Sequence, residues 1–219
     1  MKSFLRSTIF LFFLALVGCA SQPEVVPTLP STTESMHTAD GLVQRFGKLT
    51  GPEIAEFFSY LENRLSQAIP KRNRRNFSLT LLATNEPIAL SVGSGYILIS
   101  RGLILTLANE AELAFVISHE MSHEILMHHG LASADGLTTY YSTDLELAAD
   151  RYALGVMALA GYDPRLAHSA ISRLVHDRQA TDQRLAQISE QIIISGWAPP
   201  GTVNRRDFKV LTSILQQDL

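Results

Sequence analysis

The stretch that organises this chain is NEAELAFVISHEMSHEILMHHG, residues 109–130. Its apolar residues leave almost no polar face, which predicts a helix buried in the core. Asn109 is a favourable N-cap residue, Glu112 stands where it can close a capping box, and Gly130 is a typical residue just after a helix end. The sequence therefore predicts one long buried helix over 109–130.

The middle of this helix carries HEMSH, residues 119–123, which is an HExxH motif. His119 and His123 lie about 40° apart around the helix axis and about 6 Å apart along it, so both imidazoles can bind one metal ion. Glu120 between them can reach a water molecule at that ion. The alternative is that His119 and His123 are core histidines paired with a glutamate. A third ligand nearby would favour a metal site over this alternative.

His129 is one candidate for the third ligand, because it follows His119 by ten residues as in the extended metzincin motif. That motif has a glycine to end the helix at the position occupied here by Leu126. On a continuous helix, His129 would lie about 15 Å from His119 and could not share the ion. His128 and His129 fit better as residues that complement the helix C-terminus.

The other candidate lies on a second helix, for which Thr143 is the expected N-cap and which is predicted to extend to about residue 160. Glu146 and Asp150 are four residues apart, share one face and interrupt an otherwise apolar run, so they require a buried partner. Packed against the motif helix, Glu146 can complete a His₂Glu site with one open position, which is typical of catalytic zinc. Asp150 can accept the N–H of a ligating histidine.

Together these motifs resemble the gluzincin metallopeptidases related to the CAAX prenyl protease and the membrane protease HtpX, in particular their short bacterial lipoprotein or periplasmic members. The resemblance covers about residues 79–164. The segments that carry it, besides HEMSH and the pair of acids, are GYILI (95–99), RGL (101–103), NEAELA (109–114) and AGYDP (160–164).

This resemblance implies a metalloendopeptidase that holds one zinc ion per chain and hydrolyses peptide bonds in polypeptide substrates. It implies that the zinc ligands are His119, His123 and Glu146, that Glu120 is the general base, and that Asp150 supports a ligating histidine.

The chain departs from the family pattern further on. The family carries a His-Pro segment and then an arginine that lines the active site. Arg184 matches the arginine, whereas the His-Pro pair is absent and His176 is displaced by two residues. The resemblance therefore implies Arg184 as a catalytic residue that stabilises the oxyanion, and it leaves His176 open to being a surface histidine at a helix end.

A small antiparallel sheet is predicted just before the motif helix, from short apolar runs at 77–83, 88–90 and 96–99. Its last strand, with Gly95, Tyr96, Ile97 and Leu98, is predicted to lie along the cleft and to pair with extended substrate backbone. Further helices are predicted over 52–69, 101–107, 182–194 and 207–219. The predicted fold class is thus α+β, a mostly helical zincin-like metalloprotease domain over residues 51–219.

Residues 1–18 have the pattern of a secretory signal, because Lys2 and Arg6 precede an apolar run at 9–17 that is short for a bilayer span. The run ends in LVGC, which resembles a bacterial lipobox and implies cleavage before Cys19 and lipidation of that residue. A plain signal with a chance cysteine and an uncleaved anchor are the alternatives. Ala20 after the cysteine resembles the outer-membrane sorting signal of Gram-negative lipoproteins.

Residues 19–50 are rich in Pro, Ser and Thr without periodicity, which predicts a flexible tether between the lipid and the domain. Disorder is expected over residues 21–35, and packing is expected to begin over residues 42–46. Cys19 is the only cysteine, so the chain cannot form an internal disulfide. The net charge of −3 argues against a nucleic-acid partner, which would require a basic face.

The sequence as a whole predicts a zinc-dependent endopeptidase on the periplasmic side of the bacterial cell envelope, anchored by lipid to the outer membrane. Its expected substrates are misfolded or unassembled envelope proteins. One alternative is a chaperone-like binding lipoprotein whose zinc is structural, or whose zinc site is latched by His168 or His176. Another is a zinc hydrolase that acts on cell-wall peptides.

Overall fold

The computed structural model describes residues 29–133, 135–175, 177–197, 201–204 and 208–217. The predictions for residues 1–18, for Cys19 and for His176 lie outside this part of the chain. The predicted fold class is confirmed, because helices dominate and the sheets are small. None of the helices described is long and apolar enough to cross a bilayer.

The helices in chain order are α1 (Thr32–Phe46), α2 (Pro52–Ala68), α3 (Arg101–Thr106), α4 (Glu110–Ile125), α5 (Thr143–Leu159), α6 (Leu166–Leu174), α7 (Arg178–Ser195) and α8 (Phe208–Gln217). The strands are β1 (Ser78–Leu82), β2 (Ala89–Ser91), β3 (Tyr96–Ser100), β4 (Leu131–Ala132) and β5 (Thr139–Tyr140), and a short 3₁₀ turn spans Lys71–Asn73.

Helix α4 carries the HExxH motif through the centre of the main core and packs against α5, α6 and the sheet. Its start is as predicted, because the Asn109 side chain accepts a hydrogen bond from the Glu112 N–H at 3.0 Å. The Glu112 carboxylate accepts from the N–H of Ala108 at 2.8 Å, one residue before the N-cap. The Asn109 side chain therefore satisfies a donor of the first turn, whereas the Glu112 carboxylate bonds one residue earlier than the predicted capping box requires.

The end of α4 differs from the prediction, because the helix stops at Ile125 rather than continuing toward Gly130. Met127 adopts the left-handed conformation at φ 54°. Its N–H bonds to the Glu124 carbonyl at 3.3 Å, and the His128 N–H bonds to the His123 carbonyl at 2.9 Å. These two bonds form a Schellman motif with methionine where glycine is usual, which is why the sequence did not reveal it.

The main sheet has the strand order β1-β3-β2. The β2–β3 pair is antiparallel as predicted, but β1 runs parallel to β3. The segment 83–88 crosses the end of the sheet, where Thr84 O accepts from Gly102 N and the Ser100 hydroxyl bonds to Ile88 N and Glu86 O. This crossing places β2 on the edge opposite β1, so β3 becomes the central strand.

The segment predicted as a flexible tether contains α1 (Thr32–Phe46), so the expectation of disorder is wrong for residues 32–35. The packing expected at residues 42–46 is found. Ser31 and Glu34 close a capping box at its start. Ala39 and Leu42 pack on the sheet face that carries Leu98, in a second apolar cluster, while Ile97 on the other face belongs to the main core. The sheet is therefore covered on both faces, and α1 is part of the folded domain.

The crossing at Gly102 provides a test of this topology. A Cβ atom at Gly102 would lie 2.1 Å from the Asn85 carbonyl oxygen. We expect Gly102→Ala to lower the free energy of unfolding, measured by urea denaturation, by about 1–3 kcal/mol.

Gly155→Ala in α5 is the matched control, because its Cβ would meet nothing within 4 Å. It is expected to be neutral or to stabilise by up to about 1 kcal/mol, as alanine is the better helix former. Equal effects of the two substitutions would contradict the described crossing.

Candidate active site

Three side chains that could hold a metal ion converge between α4 and α5. The Nε2 atoms of His119 and His123 are 3.0 Å apart. The Glu146 carboxylate lies 3.3 Å from Nε2 of His119 and 3.8 Å from Nε2 of His123. All three donor atoms lie within 4.8 Å of one another. The structure thus brings together the three residues predicted as ligands.

The spacing of these donors fits a tetrahedral zinc site. With ligand bonds of about 2.0–2.1 Å, neighbouring donors of a tetrahedral zinc ion are about 3.3 Å apart. The observed separations of 3.0, 3.3 and 3.8 Å bracket that value. Two neutral imidazoles and one carboxylate form the donor set of catalytic rather than closed structural sites. The residues therefore fit the metal that the motif implies.

Helix α5 can bring Glu146 close to His119 and His123 because the face of α5 that contacts α4 has small residues. Ala149 and Ala153 are completely buried, and α5 packs closely against α4. The N–H of Glu146 bonds to the Ser142 carbonyl, so the carboxylate projects from the first turn of the helix. The helix starts one residue earlier than predicted, because Ser142 rather than Thr143 takes the N-cap position.

Asp150 lies one turn after Glu146 and is completely buried. Its carboxylate is 2.9 Å from Nδ1 of His119. Asp150 thus stands where it can hold the metal-binding nitrogen of His119 toward His123, as the sequence predicted.

Arg184 on α7 binds both acids. Its guanidinium donates two hydrogen bonds of 2.7 Å to Asp150 and lies 2.9 Å from Glu146. Burial opposes ionisation of both carboxyls, but His119 and Arg184 outweigh it and hold the pKa of each below its usual range. The contacts therefore support a positioning role for Arg184, while its oxyanion role stays a prediction.

The charge of His119 follows from the same network. Burial disfavours the imidazolium, but hydrogen bonds to Asp150 and Glu146 outweigh burial and raise the pKa of the metal-free side chain to about 9. A proton and a metal ion compete for the same nitrogen. The carboxylates around His119 therefore attract a positive charge to this position.

Glu120 lies on the other side of the motif, against the edge strand β2. Its carboxylate accepts a hydrogen bond from Ser91 N–H at 3.0 Å. Burial raises the pKa of Glu120 above its usual value. A carboxylate with a raised pKa beside a metal site is suited to accept and return a proton.

The predicted substrate strand needs a correction. Gly95 to Leu98 lead into and form β3, which is hydrogen-bonded on both sides and has no free edge. The edge strand beside α4 is β2. Ile88 and Val92 form backbone hydrogen bonds with β3 through Ser100 N–H and Tyr96 O. Because hydrogen bonding alternates along an antiparallel strand, the backbone groups of Ala89 and Ser91 point away from β3. The sequence could not show which strand would be central.

A cavity of about 360 Å³ opens beside the motif. Glu120, Glu146 and Arg184 line one part of it. His119, Arg173, Thr106 and Thr138 also line it. The other lining residues are apolar and are Pro87, Ala89, Leu103, Phe115, Val116, Leu137, Ile171, Leu174 and Val175. Such a cavity combines reactive groups with room for an apolar side chain.

Three residues around the site were missed by the sequence reasoning. The buried Glu124 carboxylate bonds to the Ser91 hydroxyl and to Gly95 N–H, which fastens the β2–β3 hairpin to α4. His128 Nδ1 lies 3.0 Å from His123 Nδ1. The Tyr141 ring stacks on His123 with centroids 3.7 Å apart. The position of His128 five residues after His123 is the available signal, but this spacing is also typical of a residue at the helix end.

The other histidines considered lie apart from this group. His129 is exposed after the end of α4, and His168 is exposed on α6. Within the described residues, the group able to hold a metal consists of His119, His123 and Glu146. His129 and His168 are therefore not members of this group.

Comparison with known proteins agrees with this geometry. Residues 60–134 match the model of peptidase family M48. The M48 segment includes the sheet, α3 and the HExxH helix but ends before Glu146, so the third ligand rests on the structure. Over 125 residues, the chain is 30% identical to mitochondrial metalloendopeptidase OMA1 of Arabidopsis thaliana. The aligned region is 44% of this chain and 26% of that protein, so the chain spans about a quarter of the relative's length.

The Asp150 network gives a prediction about metal affinity. Asp150→Asn leaves one acceptor oxygen for His119 and Arg184, which now use both carboxylate oxygens. We expect zinc affinity, measured by chelator competition, to fall about 10–100-fold. Asp144→Asn, on an exposed residue of the same helix, is the control and should leave the affinity unchanged. Unaltered affinity in the Asp150 variant would show that this carboxylate does not support His119.

Proposed function

We propose that this chain is a zinc-dependent endopeptidase of the bacterial cell envelope. The observation that carries the proposal is the convergence of His119, His123 and Glu146 beside Glu120, at a cleft that adjoins the edge strand β2. The match of residues 60–134 to a peptidase family supports the same reaction class.

The residues divide the proposed reaction between them. His119, His123 and Glu146 would hold the zinc ion, which when bound would supply a Lewis acid for the scissile carbonyl and would lower the pKa of a bound water toward about 7. Glu120 accepts the proton of the attacking water and returns it to the leaving amine. Asp150 and Arg184 keep His119 and Glu146 oriented, so the ligands need no rearrangement during turnover.

The edge of β2 supports a polypeptide in extended conformation as the substrate. Ala89 turns its N–H and carbonyl toward the cleft side, where an added strand can pair with them. The N–H of Ser91 is already bonded to Glu120, so the edge strand also positions the general base. A substrate backbone paired at Ala89 therefore lies next to the reactive groups.

The cavity wall suggests which side chains are favoured next to the scissile bond. The charged residues of this cavity other than Glu120 and Glu146 are Arg173 and Arg184, and the rest of the lining is predominantly apolar. An apolar substrate side chain can bury surface here, whereas a charged one loses its hydration. We therefore propose a preference for apolar residues, which misfolded or unassembled proteins expose.

The location is also part of the proposal. The lipobox-like LVGC segment supports lipidation at Cys19 and an outer-membrane anchor facing the periplasm. Because α1 begins at Thr32, the chain between it and Cys19 can reach at most about 45 Å even when fully extended. The proposed enzyme would thus work close to the membrane surface, within the lipoprotein branch of HtpX-like peptidases.

Glu120→Gln tests the proposed reaction. The amide keeps the size of the side chain but cannot take up the proton, so hydrolysis of casein should fall at least about 100–10,000-fold. Zinc content, measured by atomic emission, should remain that of the parent because Glu120 is not a ligand.

Glu53→Gln at an exposed position on α2 is the control for this variant and should keep full activity. Normal proteolysis by Glu120→Gln would refute the role of Glu120. A parent protein that binds zinc but cleaves neither casein nor other unfolded proteins would favour the alternative of a chaperone-like binding lipoprotein.

The apolar preference can be tested with Leu174→Lys, which adds a third positive charge to the cavity wall near Arg173 and Arg184. For the parent, we expect kcat/KM on a leucine-containing peptide to exceed that on its glutamate analogue by about 10–200-fold. The variant should reduce this ratio by at least about tenfold.

Leu159→Lys is the matched control, because Leu159 is 73% exposed and lines no part of this cavity. The ratio should stay at the parent value in this control. Equal ratios in all three proteins would show that the cavity does not select the side chain.

A further inference from the structure

The turn that ends α4 places His128 next to His123, on the side of that ring opposite the proposed metal position. Because Met127 is left-handed and the His128 N–H bonds to the His123 carbonyl, the chain reverses direction immediately after the helix. The imidazole of His128 then reaches His123, with their Nδ1 atoms 3.0 Å apart. The Schellman motif therefore has a consequence for the site as well as for the helix end.

The two faces of His123 have separate partners. Its Nε2 faces the Nε2 of His119 and the Glu146 carboxylate, which is the side where a metal would bind. Its Nδ1 faces Nδ1 of His128 on the opposite side. His128 lies on the Nδ1 side of the His123 ring, away from the proposed metal position, so it is not a ligand of the same ion. It contacts the ring nitrogen of His123 that carries a proton when Nε2 binds a metal.

The chemistry of a ligating imidazole then fixes both tautomers. A neutral histidine that offers the Nε2 lone pair to a metal carries its proton on Nδ1. That N–H of His123 needs an acceptor, and the Nδ1 lone pair of His128 is the atom at hydrogen-bond distance. His128 must therefore carry its own proton on Nε2.

The ring plane of His123 is held by a second contact. Tyr141 stacks on it with an angle of 18° between the rings, and only 2% of His123 is exposed. The acceptor for His119 is the Asp150 carboxylate, whereas the acceptor for His123 is uncharged. A neutral acceptor adds no further negative charge beside Glu120, Glu124 and Glu146.

We propose that His128 is a positioning residue that accepts the Nδ1 proton of His123 and so presents the Nε2 lone pair to the metal. This inference rests on the proposed zinc site but concerns metal affinity rather than catalysis. A merely structural role, in which His128 only closes the helix end, would depend on its backbone and its bulk, not on an acceptor atom.

The test compares two substitutions of His128 in the full chain. His128→Ala removes the acceptor, and the zinc dissociation constant, measured by chelator competition, should rise about 10–100-fold. His128→Asn places its Oδ1 where Nδ1 of the imidazole stands, so it should hold the dissociation constant within about threefold of the parent value. His129→Ala, at the exposed neighbouring histidine, is the control and should leave zinc binding unchanged.

Two further measurements separate the acceptor from packing. Thermal unfolding of the metal-free proteins should give similar midpoints for His128→Ala and His128→Asn. Nitrogen-15 NMR of the zinc-loaded parent should show His123 protonated on Nδ1.

An alanine variant that binds zinc as tightly as the parent would overturn the inference, as would equal weakening by alanine and asparagine. In both cases a parent that binds zinc and cleaves casein leaves the proposed function intact. A parent that binds no zinc would instead overturn the proposed function and this inference together.

Discussion

The buried carboxylate of Asp150 is the constraint on which the rest of the site depends. A charge without solvent access must be paired, and Asp150 is paired with His119 from α4 and with Arg184 from α7. These contacts join three helices that are far apart in sequence. Because Glu146 lies one turn earlier on the same helix, fixing Asp150 also sets the position of the proposed third ligand.

The β2–β3 hairpin is connected to the same helix by acidic side chains. Glu120 bonds to Ser91, and Glu124 bonds to Ser91 and Gly95. The HExxH helix therefore presents the proposed metal ligands on one side and holds the edge strand on the other. If extended substrate adds to that strand, its backbone is positioned by the residues that flank the ligands, which links recognition to the reactive centre.

The two histidines proposed as ligands have different hydrogen-bond partners, and this difference comes from local structure. His119 lies beside a carboxylate that a second helix delivers, whereas His123 lies beside His128, five residues later on the same chain. The second arrangement requires the helix to end at Ile125 and the chain to turn back through Met127. A continuation of α4 would carry His128 away from His123, so the helix end is part of the site.

The sequence by itself determined the helix that carries His119 and His123, the candidates Glu146 and Asp150, and the α+β class, because these depend on local spacing and on the burial of charged groups. It did not determine that Thr32–Phe46 forms a helix, that β1 pairs in parallel with β3, or that His128 contacts His123. Strand order and the packing of α1 are set by contacts between distant residues. The end of α4 was hidden because methionine rather than glycine adopts the left-handed position. Only the tertiary structure shows that the edge strand β2 and the turn after α4 lie next to the site. The periodicity of the sequence indicates helices and strands but not which of them are neighbours.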